Sequence, residues 1–333
     1  MASIRRSAMA VLLAILLSGC AGGKAAQSAR ETRYFRLASS QSENYVTNQA
    51  CLRFCDAVRK RSGGSIIIEP YFDSTLGQDT QALEQCCFGG VDFARVSATS
   101  AAQYAPQLTA LQMPYEYTSD KHLFRVLDGK IGRSALDSLE ASGLTGITYF
   151  YAGYRCFFSA EEVLGSVESM RGLRLRVDES PVMTGLVGLW GAQAVPLAEE
   201  DLAAALRSGQ VDAAEGNLPT YVDSGYYRLA PYWVYDRHVL VASSQTMGLL
   251  SAEERKLIAD CAAEAAAWQR EHWMNAEVRA MMHASRSGCY MMLMDDAEAA
   301  RFRAAAQPLY DSLTAQQQQV VEAAGRLADP PGA

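Results

Sequence analysis

The residues best suited to chemistry in this sequence are arginines at the ends of strand-like runs, followed by a short loop of carboxylate and amide. Arg171-Gly172-Leu173-Arg174-Leu175-Arg176-Val177 alternates basic and apolar positions, and Glu215-Gly216-Asn217 precedes Leu218-Pro219. A planar guanidinium matches a carboxylate two-pronged. A strand that aims an arginine, with an acid-and-amide loop after it, can hold a small anion. Arg174 points the same way as Arg176 by the period of two, and Arg171 and Arg174 read as rim or surface. Arg176 engages either a ligand or the neighbouring Asp178 or Glu179. Arg155 follows a second strand-like run, Leu144–Tyr151. Gly-x-Ser-x-Gly, His-Glu-x-x-His, the P-loop and the dinucleotide fingerprint are all missing, and the four histidines are scattered. Binding is therefore expected rather than catalysis, and no catalytic residue, metal or cofactor is assigned.

The elements that must position these residues alternate. Tyr34–Leu37 reads as a strand and Thr47–Arg61 as a helix ended by Gly63-Gly64. Ile66–Tyr71 has the continuous apolar character of a buried parallel strand. Thr80–Phe88 follows as a helix and Val91–Val96 as a strand ending near Arg95. A second α/β unit starts at Leu173–Val177. It continues with a helix from Pro181, an apolar stretch at Ala194–Leu197 and a helix from Glu199 stopped by Gly209. Val239–Ser243 gives one more strand. Ser251 caps a helix that runs to about Ser285, either bridging two domains or broken in two. Two α/β lobes linked by strands make a hinged clam-shell, with strand ends facing each other across a cleft. The expected division is 32–150 plus about 239–280 for the first lobe and 151–238 plus about 281–326 for the second, with 327–333 as tail.

The N-terminus indicates destination. Arg5 and Arg6 precede an apolar run, Ala8–Leu17, and then Leu17-Ser18-Gly19-Cys20. The run is too short to span a membrane and reads as a secretory signal over 1–19. The small residues before Cys20 look like a lipobox, which makes Cys20 a lipidated mature N-terminus on a flexible tether, 20–31. A periplasmic protein anchored to a bacterial membrane follows. The other reading is plain cleavage near Ala25 or Ala26. Net charge is −7 with no basic block, which argues against nucleic acid as a partner. Seven further cysteines fit no zinc spacing and read as buried thiols, with a disulfide or two left open.

Taken in order, a set of short motifs resembles the substrate-binding proteins of tripartite ATP-independent periplasmic (TRAP) transporters. They are Leu76-Gly77, Gly90-Val91-Asp92-Phe93-Ala94-Arg95, Leu111 to Tyr115, Leu127-Asp128-Gly129, Gly153-Tyr154-Arg155, Gly172 to Val177, Val195-Pro196, and Gly209 to Asn217. The resemblance covers Arg33 to Gln319. It implies an α/β fold of two lobes, a type II-like periplasmic-binding-protein clam-shell with a long bridging helix. It also implies capture of a small organic acid and delivery to small and large membrane subunits of a permease. Arg176 would grip the substrate carboxylate, with Arg155 at the cleft and Asn217 on the substrate, because Gly216 stands where the family's asparagine usually does. Glu215 belongs to the same motif. Glu199 departs from an apolar or aromatic position. It either faces the cleft, ready for an amine or hydroxyl, or is a helix-start charge. Arg95 is either a ligand contact or a structural ion pair. Gln41 and Glu43 lie in a loop that often donates a polar contact, and Tyr115 is either ligand contact or hinge packing. The other readings are a ligand-sensing binder docked to a membrane receptor, and a secreted enzyme.

Overall fold

A computed structural model describes residues 31–151, 153, 155–178, 180–233, 239–292, 294 and 296–328. The signal segment, Cys20, Tyr154, Glu179 and the loop with Tyr235, Arg237 and His238 lie outside the described residues.

Two sheets carry the chain. The first contains β1 (Arg33–Ser39), β2 (Ile66–Tyr71), β3 (Phe93–Val96), β4 (Leu144–Thr148) and β10 (Val239–Ser243), in the order β2-β1-β3-β10-β4. β1 runs parallel to β3, whereas β10 is antiparallel to both β3 and β4. The second contains β5 (Cys156–Ser159), β6 (Arg174–Val177), β7 (Gln193–Pro196), β8 (Ala213–Gly216), β9 (Tyr232–Trp233) and β11 (Tyr290–Met291), in the order β11-β9-β5-β8-β6-β7. β6 is parallel to β7 and β8, and β5 is antiparallel to β8. Each sheet is thus mixed, because the chain leaves and re-enters each lobe.

One strand sits differently from its sequence reading. β2 has the triple isoleucine of a central strand but lies at a sheet edge. Ile66 and Ile68 are buried while Ile67 is only partly so. Pro70, which has no N–H for a ladder, is compatible with an edge and not with an interior position.

Four connections link the lobes, the last running from the helix Gln307–Asp311 on the second lobe to Ala315–Gly325 on the first. Residues 149–155 pass from β4 to β5, and the chain returns between β9 and β10. The third is a single helix, Ala252–Arg286, started by a capping box in which Ser251 and Glu254 satisfy each other's backbone N–H groups. Its first half packs Ile258, Cys261, Ala262, Ala265 and Ala266 into the first-lobe core, while Ala280 and Ala284 enter the second-lobe core. Its small buried residues let one helix serve two cores without a break. Midway, Gln269 holds the crossing strand. Its Oε1 accepts from the Tyr151 N–H at 2.8 Å and its Nε2 donates to the Tyr151 carbonyl. Two residues on, Gly153 has φ +69°, and a Cβ there would meet Glu277 Oε1 at 2.1 Å. Only glycine serves this turn.

The helix Ala315–Gly325, expected with the second lobe, packs on the first. Ala324 is buried with Leu108, Leu111 and Val126, and its carbonyl is 2.8 Å from His122 Nε2. Among the described residues the seven cysteines form no disulfide, and five of them are buried. Cys51 and Cys55 lie one turn apart among apolar neighbours. Burial pushes the Cys51 thiol up to about 12, so it is inert as a nucleophile.

Candidate ligand-binding site

Arg176 stands on β6 between β7 and β8. Leu175 and Val177 point into the second-lobe core, and alternation turns Arg176 to the other face. That face leads to the cleft, and Arg176 is 3 % exposed. Its Nε donates to the Leu197 carbonyl at 2.9 Å and its NH1 to the Glu215 carbonyl at 3.3 Å. NH2 pairs with Asp178 Oδ1 at 2.7 Å. Asp178 and Glu215 outweigh the effect of burial and hold the Arg176 pKa above its usual value.

Arg155 enters the same cluster from the chain just before β5. It pairs two-pronged with Glu215, through Nε and through NH2 at 2.9 Å, and NH2 also reaches Asp178. Asp178 and Glu215 thus bridge both guanidinium groups, and the Asp178 N–H donates to Glu215 Oε1 at 2.8 Å. The pairing of Arg176 with Asp178, read from sequence as a surface alternative, is formed but lies inside the lobe. Arg174 behaves as a bystander, exposed and paired with Asp212. Arg171 is also exposed.

The loop after β8 contributes differently. Asn217 caps the helix Leu218–Asp223, with Oδ1 accepting from the Thr220 N–H at 2.9 Å. Its Nδ2 donates to the Tyr45 hydroxyl at 2.9 Å, and Thr220 Oγ1 donates to the same oxygen at 3.2 Å. Tyr45 belongs to the first lobe, so these bonds cross the cleft. Burial pushes the Tyr45 phenol up to about 12, with Arg95 pulling the other way, so it stays neutral. A second crossing bond runs from Gln78 Nε2 to Glu200 Oε1 at 2.7 Å.

A small inner cavity of about 30 Å³ lies among Arg155, Arg176, Asp178, Glu199, Glu215 and Asn217. That is room for roughly two water-sized groups. It neighbours a cleft of about 330 Å³ that also touches Arg176, Asp178 and Glu199. The first-lobe wall of the cleft is polar: Ser40, Gln41, Asp79, Arg95, Ser97 and Thr99 line it, and Leu197, Ala198 and Tyr226 are the apolar side chains in the whole lining. Asp79 organises this wall. Its Oδ1 accepts from Ser40 Oγ at 2.7 Å and its Oδ2 from the Ser97 N–H at 2.6 Å. Buried Asn48 pins the adjoining loop by donating to the carbonyls of Gln41 and Ser42.

Arg95, at the end of β3, is 1 % exposed. Its Nε and NH2 have no hydrogen-bond partner, and its guanidinium lies 5.5 Å from the Tyr45 ring centroid. It forms no structural ion pair among the described residues. Glu199, at the start of the helix Glu199–Ser208, lines both cavities. Burial pushes its carboxyl up to about 7 even though the Arg176 charge opposes this.

Two expected residues lie elsewhere. Glu43 is exposed and outside the cleft lining, and its carbonyl accepts from Gln49. Asn48 turns this loop inward at Gln41 and leaves Glu43 outside. Tyr115 has φ +64° and lines a separate apolar cavity of about 320 Å³ with Met113, Phe157, Met183 and Trp190. Its carbonyl accepts from Arg303, so it belongs to the packing of the C-terminal helices on the crossing. Sequence reasoning missed Tyr45, Asp79 and the bridging role of Asp178. The one available signal was that Asp178 closely follows Arg176.

Two α/β lobes, repeated crossings between them and a polar cleft closed over paired arginines define a hinged solute-binding protein. The chain belongs to the bacterial extracellular solute-binding protein family 7, whose model matches residues 37–317. A solute-binding protein of Chromohalobacter salexigens is 26 % identical over 273 residues, 80 % of this chain and 81 % of that one. A TRAP periplasmic solute-binding protein of Xanthobacter autotrophicus, solved with bound β-D-galacturonate, superposes with a TM-score of 0.83 at 26 % identity, covering 88 % of this chain and 99 % of the other. The sugar acid binding protein of Advenella mimigardefordensis, solved with galactonate, gives 0.83 at 26 % identity, covering 89 % and 98 %. The fold is therefore the expected two-lobed clam-shell, and the protein is an extracytoplasmic solute binder.

Proposed function

We propose that this protein captures a polyhydroxylated monocarboxylate, a sugar acid, and hands it to the small and large membrane subunits of a TRAP permease. The observation that carries the reading is a cleft with arginines at its base and hydroxyl, amide and carboxylate groups along its walls. Arg176 and Arg155 hold the ligand carboxylate, which takes over guanidinium prongs now held by Asp178. The remaining acceptors, Asp79 and Glu200, suit hydroxyl donors and repel a second carboxylate. A sugar acid thus fits better than a dicarboxylate. The galacturonate and galactonate held by the two similar structures are acids of this kind. Arg95 and Gln41 take polar contacts from the first lobe, and Asn217 with Tyr45 fastens the lobes around the ligand. Closure converts ligand binding into a shape the membrane subunits recognise. Lipidation of Cys20 keeps the binder at the membrane surface.

A thermal-shift series tests the ligand class, since a ligand of the folded state alone raises the melting temperature. D-Galacturonate and D-gluconate should raise it, and D-galactose and succinate should not. A shift with succinate and none with any sugar acid would overturn the assignment. Incorporation of a labelled fatty acid into the wild type but not into Cys20→Ala tests the anchor.

A further inference from the structure

The cleft's second-lobe wall has more acid than base. Arg155 and Arg176 face Asp178, Glu199 and Glu215. Asp178 and Glu215 are committed to both guanidinium groups. Glu199 is not: its side chain makes no hydrogen bond among the described residues, although it lines both the inner cavity and the cleft. Charged and hydroxyl groups surround it from several elements. On its own helix are Glu200 and Asp201. Arg176 and Asp178 approach from β6, Arg155 from before β5, and Glu215 from β8. Tyr226, whose hydroxyl donates to the Glu199 carbonyl at 2.9 Å, closes one side. Tyr45, Asp79 and Arg95 stand on the first-lobe side.

A bound acid would add its carboxylate to a closed site that already holds five, Asp79, Asp178, Glu199, Glu200 and Glu215, against three arginines, Arg95 among them. An excess negative charge is costly where water is excluded. We infer that capture of the acid is coupled to uptake of a proton at Glu199, which then donates a hydrogen bond to the ligand. This rests on the cleft being the acid-binding site. Glu215 keeps Arg155 in a two-pronged pair and accepts from the Asp178 N–H, whereas Glu199 gives up no hydrogen bond when it takes a proton, so it changes state at low cost. With its carboxyl already raised to about 7 by burial, it is part ionised in the free protein near neutrality. The ligand's negative charge raises it further, so the complex holds the proton that the free protein lacks. Binding therefore strengthens as pH falls. Affinity should drop about tenfold from pH 6 to pH 8, the change expected for one proton taken up by a group titrating near 7.

Calorimetry of the wild type with D-galacturonate, in phosphate and in Tris, counts the protons through the different buffer ionisation heats. About half a proton is expected at pH 7 and about 0.9 at pH 8. Glu199→Gln should take up none, and its affinity should not change with pH in this range. Equal heats in both buffers for the wild type, or undiminished uptake in Glu199→Gln, would overturn the coupling and leave the acid-binding reading standing. Absence of D-galacturonate binding at every pH, with another sugar acid also inactive, removes the acid-binding reading and the coupling with it.

Discussion

Arg176→Lys separates charge from geometry at the base of the cleft. The guanidinium is held at three points: the Leu197 carbonyl at 2.9 Å, the Glu215 carbonyl at 3.3 Å and Asp178 at 2.7 Å. Lysine keeps the positive charge but concentrates its donors on one atom. It cannot reach the Leu197 carbonyl, Asp178 and a ligand carboxylate together. Loss of one charge-assisted hydrogen bond costs about 1.5–3 kcal/mol, or roughly tenfold to 150-fold in affinity. Alanine is a poorer probe, because it would leave Asp178 and Glu215 sharing one arginine in a buried site, a fault of the free protein rather than of binding. The assay is calorimetric titration of D-galacturonate, with a thermal melt of each ligand-free protein as control. Affinity within twofold of the wild type would refute the two-pronged grip and leave Arg176 as a structural pair of Asp178.

Replacing Tyr45 by Phe strands the donors of Asn217 and Thr220, at a cost of about 1–3 kcal/mol. The free protein should open, which solution scattering would register as a larger radius of gyration; an unchanged radius sinks the clasp. Arg95→Met removes a buried cation whose Nε and NH2 are unpaired, so the ligand-free melting temperature should rise while sugar-acid affinity falls. A variant that is both less stable and equally tight contradicts this. Gly153→Ala must place a methyl group 2.1 Å from Glu277 Oε1 at φ +69°, which should lower the melting temperature by an amount matching about 1–3 kcal/mol; a neutral result argues against the turn. Burial also pushes Glu116 and Glu277 up to about 7, from an ordinary 4.5. Between those values the folded state binds protons that the unfolded state does not, so both contributions to stability fall as pH rises from about 4.5 to 7. Melts across that range should show the decline, and Glu116→Gln with Glu277→Gln should make it shallower.

The long helix, its capping Ser251, and most strands are legible because their signals are local. Apolar spacing, a cap and a stopping glycine suffice. β2 shows the limit: three isoleucines state that a strand is apolar, but not that its neighbour lies on one side only. The helix Ala315–Gly325 is silent about its lobe, since Ala324 is its one buried residue.

The same division runs through the site. Sequence alone determined that Arg176 ends a strand of alternating basic and apolar residues, that Arg155 follows another strand, and that Asn217 lies in a polar loop closed by proline. These follow from alternation and from local turn chemistry. Only the tertiary structure decided which of them meet. Asp178 and Glu215, 37 positions apart, come together because β6 and β8 are neighbours in the sheet. Tyr45 and Asn217, 172 apart, meet because the lobes close on each other. Arg95 is left unpaired for the same reason: whether a buried charge finds a partner depends on what folds opposite it, and no spacing along the chain records that.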